Sequence, residues 1–202
     1  MRRTAPRLVL PALLAVLVAA TSFAQLQSPL RRDADRLQQK IDLIAERGLI
    51  PRQAPLRTIV TETEINSYLA VYGRTQLPAG VVDPHVGILG PDRISGRAMI
   101  DLDAVRRASS GSWFDPASYL TGRLPVTAQG VLRTGNGVAR FQLESAQLAG
   151  ITIPKTILQQ IITHYSQSPD YPRGINLDDP FPLPAGIRQI DMRRGSAVVV
   201  QR

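Results

Sequence analysis

Few residues in this chain have the types and spacing that chemistry needs. There are two histidines, His85 and His164, and no cysteine. Neither histidine has a carboxylate or a second histidine at metal-ligand spacing, so a surface or core position competes with any ligand role. Asp101-x-Asp103 would place two carboxylates on one face of a strand, where they could bind a cation or do acid–base work. The competing reading is a solvated face beside Arg97, Arg106 and Arg107. Asp178-Asp179, before Pro180, could ligate calcium or serve a turn. Ser109, Ser110 and Ser112 sit in a polar loop without a G-x-S-x-G elbow, an S-x-x-K pair or a phosphate-binding glycine pattern anywhere in the chain. The expectation is a protein with no catalytic residue, no metal and no cofactor. Trp113-Phe114 are two large aromatics in that same polar loop. They are either a docking point for a membrane or partner, or a cap on an open end of the core. Phe181 and Leu183 carry the same two readings.

Composition narrows the classes further. The 202 residues are 44% hydrophobic, 20% charged and 5% aromatic, which is globular and sufficient for one domain. Without cysteine there is no disulfide framework, thiolate metal site, cysteine nucleophile or lipidated cysteine anchor. Basic residues are 22 Arg and 2 Lys, and the net charge is +8. The arginines are scattered in runs of at most two, and no aromatic signature accompanies them, so nucleic acid is not an expected partner.

The first 24 residues, MRRTAPRLVLPALLAVLVAATSFA, read as a secretory signal peptide. A basic start precedes a 13-residue apolar run from Leu8 to Ala20 and a small-residue end at Ala24. That run is short of the roughly 20 residues that span a bilayer, and Pro11 interrupts it. Cleavage near Ala24 removes Arg2, Arg3 and Arg7 and leaves +5. The expected location is therefore the bacterial periplasm or the outside, in soluble form.

The remaining chain must position whatever acts. A helix is expected over 33–47, with Asp33 and Asp35 near its start and Gly48 as its stop, followed by a connector. Residues 57–73 combine a short strand with a helix, where Thr61 and Glu64 have capping-box spacing. The period then changes to two. Strands are expected at 82–89 and 93–103, the latter with Ile94, Gly96, Ala98, Ile100 and Leu102 on one side. Strands 123–134 and 138–149 flank Asn136-Gly137, a strong hairpin signal. Residues 154–166 make a third helix with a wide apolar face, opened by Pro154 in its first turn. A proline-rich loop over 167–185 and a hairpin around Arg194-Gly195 end the chain. The expected fold is α+β: a long curved antiparallel β-meander packed against two or three helices, one strongly apolar. Its divisions are 1–24 signal peptide, 25–56 N-terminal helix and connector, and 57–202 a single α+β domain.

The segment Ile59-Val60-Thr61-Glu62-Thr63-Glu64-Ile65-Asn66-Ser67-Tyr68-Leu69 and the order of elements over 57–202 carry a resemblance. They resemble small exported bacterial proteins of uncharacterised families that open with an I/L-T-x-x-E-L/I-N-x-Y-L segment. Those in turn look like the tubular lipid-binding (BPI-like, SMP-like) superfamily, including its LmeA-like and YceB-like groups. The lipobox cysteine of the lipoprotein members is absent here. The resemblance implies a curved sheet wrapped around an apolar helix, with a groove for acyl chains. It designates no individual ligand residue. Periodicity assigns the lipid-facing candidates Ile100, Leu102, Val126, Phe141, Leu143, Ile157, Leu158, Ile161 and Ile162, for each of which plain core packing is the stronger competing reading. The function expected is non-enzymatic binding or carriage of a lipid or other apolar envelope molecule, with arginines meeting an anionic head group. The alternative is an envelope interaction or scaffold protein with a closed core, docking to a secretion, polysaccharide or membrane complex through Trp113-Phe114 and the proline-rich loop.

Overall fold

A computed structural model describes residues 28–50, 54–75, 77–108, 121–167 and 172–202. The expected signal peptide over 1–24 and the residues Ser109, Ser110, Ser112, Trp113 and Phe114 lie outside these. The fold is α+β. Its described helices are α1 (Pro29–Arg47), α2 (Glu62–Tyr72), α3 (Leu102–Ala108) and α4 (Lys155–Tyr165). The long meander is β2 (Val81–Gly90), β3 (Arg93–Asp101), β4 (Arg123–Gly135) and β5 (Val138–Leu148), paired in chain order and all antiparallel. The short strands β6 (Ile151–Thr152) and β7 (Phe181–Pro182) both pair with β5. A second sheet has the order β1-β9-β8, from β1 (Leu56–Thr61), β8 (Ile187–Arg193) and β9 (Ser196–Gln201). The terminal hairpin thus joins the strand before α2 rather than extending the meander.

Local chemistry accounts for most element boundaries. Helix α1 begins a turn earlier than residue 33, because Ser28 caps it by accepting from the Arg31 amide at 3.3 Å and Pro29 fits its first turn. Asp33 and Asp35 therefore lie past its first turn. Gly48 does not stop α1 through a left-handed conformation. Its φ is −68°, and it is needed because a Cβ there would sit 2.5 Å from the Ala185 backbone. At α2 the capping box is complete: the Glu64 amide donates to Thr61 Oγ1 (3.2 Å) and the Thr61 amide to Glu64 Oε2 (3.0 Å). Asn136 and Gly137 both take positive φ, 52° and 79°, as a two-residue hairpin with the twist of its strands requires. Pro154 stands at the N-cap of α4, one residue before the helix.

The core is two clusters on the inner face of the small sheet. Leu37 and Ile44 of α1 pack on Val60, Ile187 and Val199. Beside them Met192 and Ala197 meet Ile88 of the meander, with Ile94 and Leu132 against it. Ile65 and Ile190 border both clusters and so join the two sheets. Polar bonds stitch the same junction. Thr134 Oγ1 donates to the Ile190 carbonyl (3.1 Å) and accepts from its amide (2.8 Å), standing in for a strand neighbour at the edge of β8. The Gly137 amide donates to Arg188 O at 2.9 Å.

Helix α2 closes the other exposed edge. The Asn66 side-chain amide donates to Val86 O and accepts from Val86 N, both at 2.8 Å. Glu62 Oε2 accepts from the Ile88 amide at 2.8 Å, and the Gly195 amide donates to Ile88 O at 2.9 Å. Four edge groups of β2 are thereby satisfied without another strand. Glu64, whose side chain is only 4% exposed, takes Lys40 Nζ of α1 at 2.7 Å on both oxygens. Burial pushes the Glu64 carboxyl up, but bonds from Lys40 and Thr61 outweigh it and hold the group below its ordinary value.

Two outcomes follow from this junction. Glu64 adds stability above roughly pH 4.3, the ordinary glutamate value, and that contribution is lost as pH falls through its lowered folded value. Urea midpoints measured against pH will fall in this acid window, and Glu64→Gln will flatten the fall while lowering stability at neutral pH. Asn66→Ala leaves the Val86 amide and carbonyl without partners and will cost about 2–3 kcal/mol. Light scattering of that variant will show self-association through the opened β2 edge.

Candidate functional site

The strand registers sort the meander into two chemically distinct faces. On the inner face, transverse rows run Val86, Gly96, Ala128, Ala146 and then, toward the small sheet, Ile88, Ile94, Gly130, Leu143. Away from the small sheet come Ala98, Val126, Leu148 and then Val81, Ile100, Leu124. Two irregularities keep this face apolar. On β5, Glu144 is the extra residue of a bulge, so Phe141 and Leu143 before it share a face with Ala146 and Leu148 after it. On β2, Asp83 takes a φ of +48° beside Pro84 and does the same for Val81 and Val86.

The end of this face near the small sheet is filled. The Phe141 ring lies over Gly130, where a Cβ would come within 2.6 Å of it. In the middle, a Cβ at Gly96 would meet no atom of the described residues within 4 Å, while Ala146 at the β5 end of the same row is buried. Beyond Gly96, the larger side chains of Ile100, Leu124, Val126 and Leu148 are half-buried rather than buried. The result is an apolar strip with a floor of small residues.

Of the positions assigned by periodicity, Ile100, Val126, Phe141 and Leu143 share this inner face. Leu102 does not lie on it as a strand residue. β3 ends at Asp101, whose Oδ1 accepts the Ala104 amide at 2.9 Å, and this N-cap turns Leu102 and Asp103 into α3. Leu102 is buried there. Helix α4 borders β5 between β6 and β7. Leu158 and Ile162 are half-buried, whereas Ile157 and Ile161 stand 46% and 44% exposed, so part of its apolar width is uncovered. The described part of the proline-rich loop is strapped to α4. Leu177 N donates to Gln159 Oε1 (2.8 Å), Gln159 Nε2 to Ile175 O (3.0 Å) and Ile175 N to Ser166 Oγ (2.6 Å).

The outer face is polar. A cleft of about 340 Å³ lies there, lined by His85, Ser95, Arg97, Thr127, Gln129 and Glu62. A second of about 240 Å³ is lined by Arg133, Arg140, Gln142 and Asp178 among others. His85 faces Arg97 directly across β2 and β3. His164 lies on α4, its side chain outside the described set.

The aspartates that could bear chemistry have structural partners. Asp101 and Asp103 do not share a strand face. Asp101 caps α3 and pairs with Arg123 at 3.3 Å, while Asp103 pairs with Arg106 on the helix. The Ala104 amide, together with Arg123, holds the Asp101 carboxyl below its usual value against the opposing effect of burial. Asp178 pairs with Lys155 at 2.5 Å, and Asp179 Oδ1 accepts from Asn176 Nδ2 at 3.1 Å in a turn. No group of three or more His, Asp or Glu that could hold a metal ion occurs among the described residues. None of the described helices is long and apolar enough to cross a membrane. No protein-family model matches the chain, and no curated protein is significantly similar to it.

The Asp101 cap separates its two readings experimentally. Asp101→Ala will lower the urea midpoint as the helix start loses its acceptor. Calcium will leave the melting temperature of the parent unchanged, whereas a bound cation would raise it.

Proposed function

We propose that this protein is an exported, non-enzymatic binder of an acyl lipid or similar apolar envelope molecule, held against the inner face of the meander. The observation that carries this reading is that no described residue stands over Gly96 on an otherwise apolar face. A sheet face intended only for core packing would place larger side chains or a helix there, since a void forfeits dispersion contacts. Here small residues form the floor, Ile100, Leu124 and Val126 flank it, and the partly uncovered α4 stands at the β5 edge. Such a strip accepts a flexible chain by shape and apolar contact, without the directed polar groups of a catalytic pocket. The resemblance of the 59–69 segment to exported proteins of uncharacterised families, which in turn look like lipid-binding proteins, points the same way.

Native mass spectrometry of the protein exported from a bacterial host and purified without detergent tests the reading. A stoichiometric adduct that organic extraction identifies as a lipid is expected. Gly96→Leu fills the strip from a strand position with free space above it. It will fold with an unchanged or higher melting temperature and will carry the adduct about tenfold less, the equivalent of about 1.4 kcal/mol. A folded Gly96→Leu protein with full occupancy, or a parent with no apolar adduct, overturns the reading and favours an interaction module.

A further inference from the structure

The outer face of the meander carries charge that its own fold does not neutralise. Arginines 93, 97, 123, 133 and 140 all lie on it. Arg93 is paired with Glu144 at 2.5 Å and Arg123 with Asp101 at 3.3 Å. Arg97, Arg133 and Arg140 have no acidic partner within ion-pair distance among the described residues. Arg133 and Arg140 also face each other directly across β4 and β5, an arrangement that destabilises a sheet. Asp178 borders the same cleft, but its carboxylate is engaged by Lys155.

We infer that this face docks on an anionic lipid bilayer, with Arg97, Arg133 and Arg140 meeting phosphate head groups. The spacing argues for a surface rather than a single small anion. Arg97 pairs in register with Thr127, six residues along β4 from Arg133, so the three guanidinium groups span roughly 20 Å along the strands and about 10 Å across them. Only a repeating array of negative charge reaches all three. Leu89 and Val138 stand exposed on the same face, and aliphatic side chains among arginines suit the head-group boundary. Among the described residues this face has no Phe, Tyr or Trp, and His85 is its one aromatic ring for a nucleic-acid base to stack on. The inference does not rest on ligand binding by the inner face, since a protein with that face empty would dock equally.

Co-sedimentation with vesicles tests it. Binding is expected to phosphatidylglycerol-containing vesicles, weakly if at all to pure phosphatidylcholine, and to fall as salt screens the interaction. At about fivefold per arginine, Arg133→Gln with Arg140→Gln will weaken binding about 25-fold, and adding Arg97→Gln about 100-fold. The Arg31→Gln, Arg32→Gln control changes net charge equally on α1 and will bind as the parent does. The double variant at 133 and 140 will melt at or above the parent temperature, because it removes a like-charge pair. Four results would each sink the inference: equal binding to zwitterionic vesicles, undiminished binding by the variants, an equal loss in the α1 control, or duplex DNA bound as tightly as the vesicles.

Discussion

A long antiparallel sheet with one apolar face has two weak points: the open hydrogen-bonding edge of its first strand and the face itself. In this protein the first is resolved by side chains. The planar amide of Asn66 offers one donor and one acceptor with the spacing of a peptide group, and it pairs with Val86 as a neighbouring strand would. Glu62 and the Gly195 backbone serve Ile88 in the same way. Because Glu62 and Asn66 are one turn apart on α2, the helix must lie along the edge of β2. That placement brings Ile65 to the junction of both clusters and Glu64 to Lys40 of α1. The arrangement of α1, the small sheet and the meander therefore depends on three polar residues of one short helix.

This junction consumes only one end of the meander. Ile88, Ile94 and Leu132 are packed against Met192 and Ala197, while the rows beyond Gly96 have no comparable cover from the described elements. The bulges at Glu144 and Asp83 matter here. Without them the alternation would slip by one residue and turn polar residues such as His85, Ser145 and Gln147 into the apolar strip. With them, apolar contact belongs to the inner face and unneutralised positive charge to the outer one, which is the division that binding a chain and meeting a charged surface both call for.

Motifs acting within a few residues were legible in the chain. The Thr61–Glu64 box, the Asn136-Gly137 turn and the alternation of β4 depend on neighbours and appear where their spacing puts them. Competing local signals produced the errors. Residues 93–103 alternate without a break, yet Asp101 is also an N-cap residue, and the cap wins once the Ala104 amide needs an acceptor. Ile100, Val126, Phe141 and Leu143 were legible as one face, but Ala146 and Leu148 were not, because their parity is opposite until Glu144 is recognised as the extra residue. Glu62 and Asn66 showed no task in the sequence, since their partners on β2 lie 20 or more residues away.

Sequence by itself determined the fold class, the types of the long elements other than the helix at Leu102–Ala108, the absence of cysteine chemistry and the apolar character of one meander face. Periodicity, capping and turn conformation are short-range properties that each segment carries with it. Tertiary structure alone decided that the terminal hairpin pairs with β1, that α2 seals β2, that no described residue stands over Gly96, and that no acid among the described residues pairs with Arg133 or Arg140. Those outcomes depend on which distant groups meet. Burial, register and charge balance exist only once the chain has closed on itself.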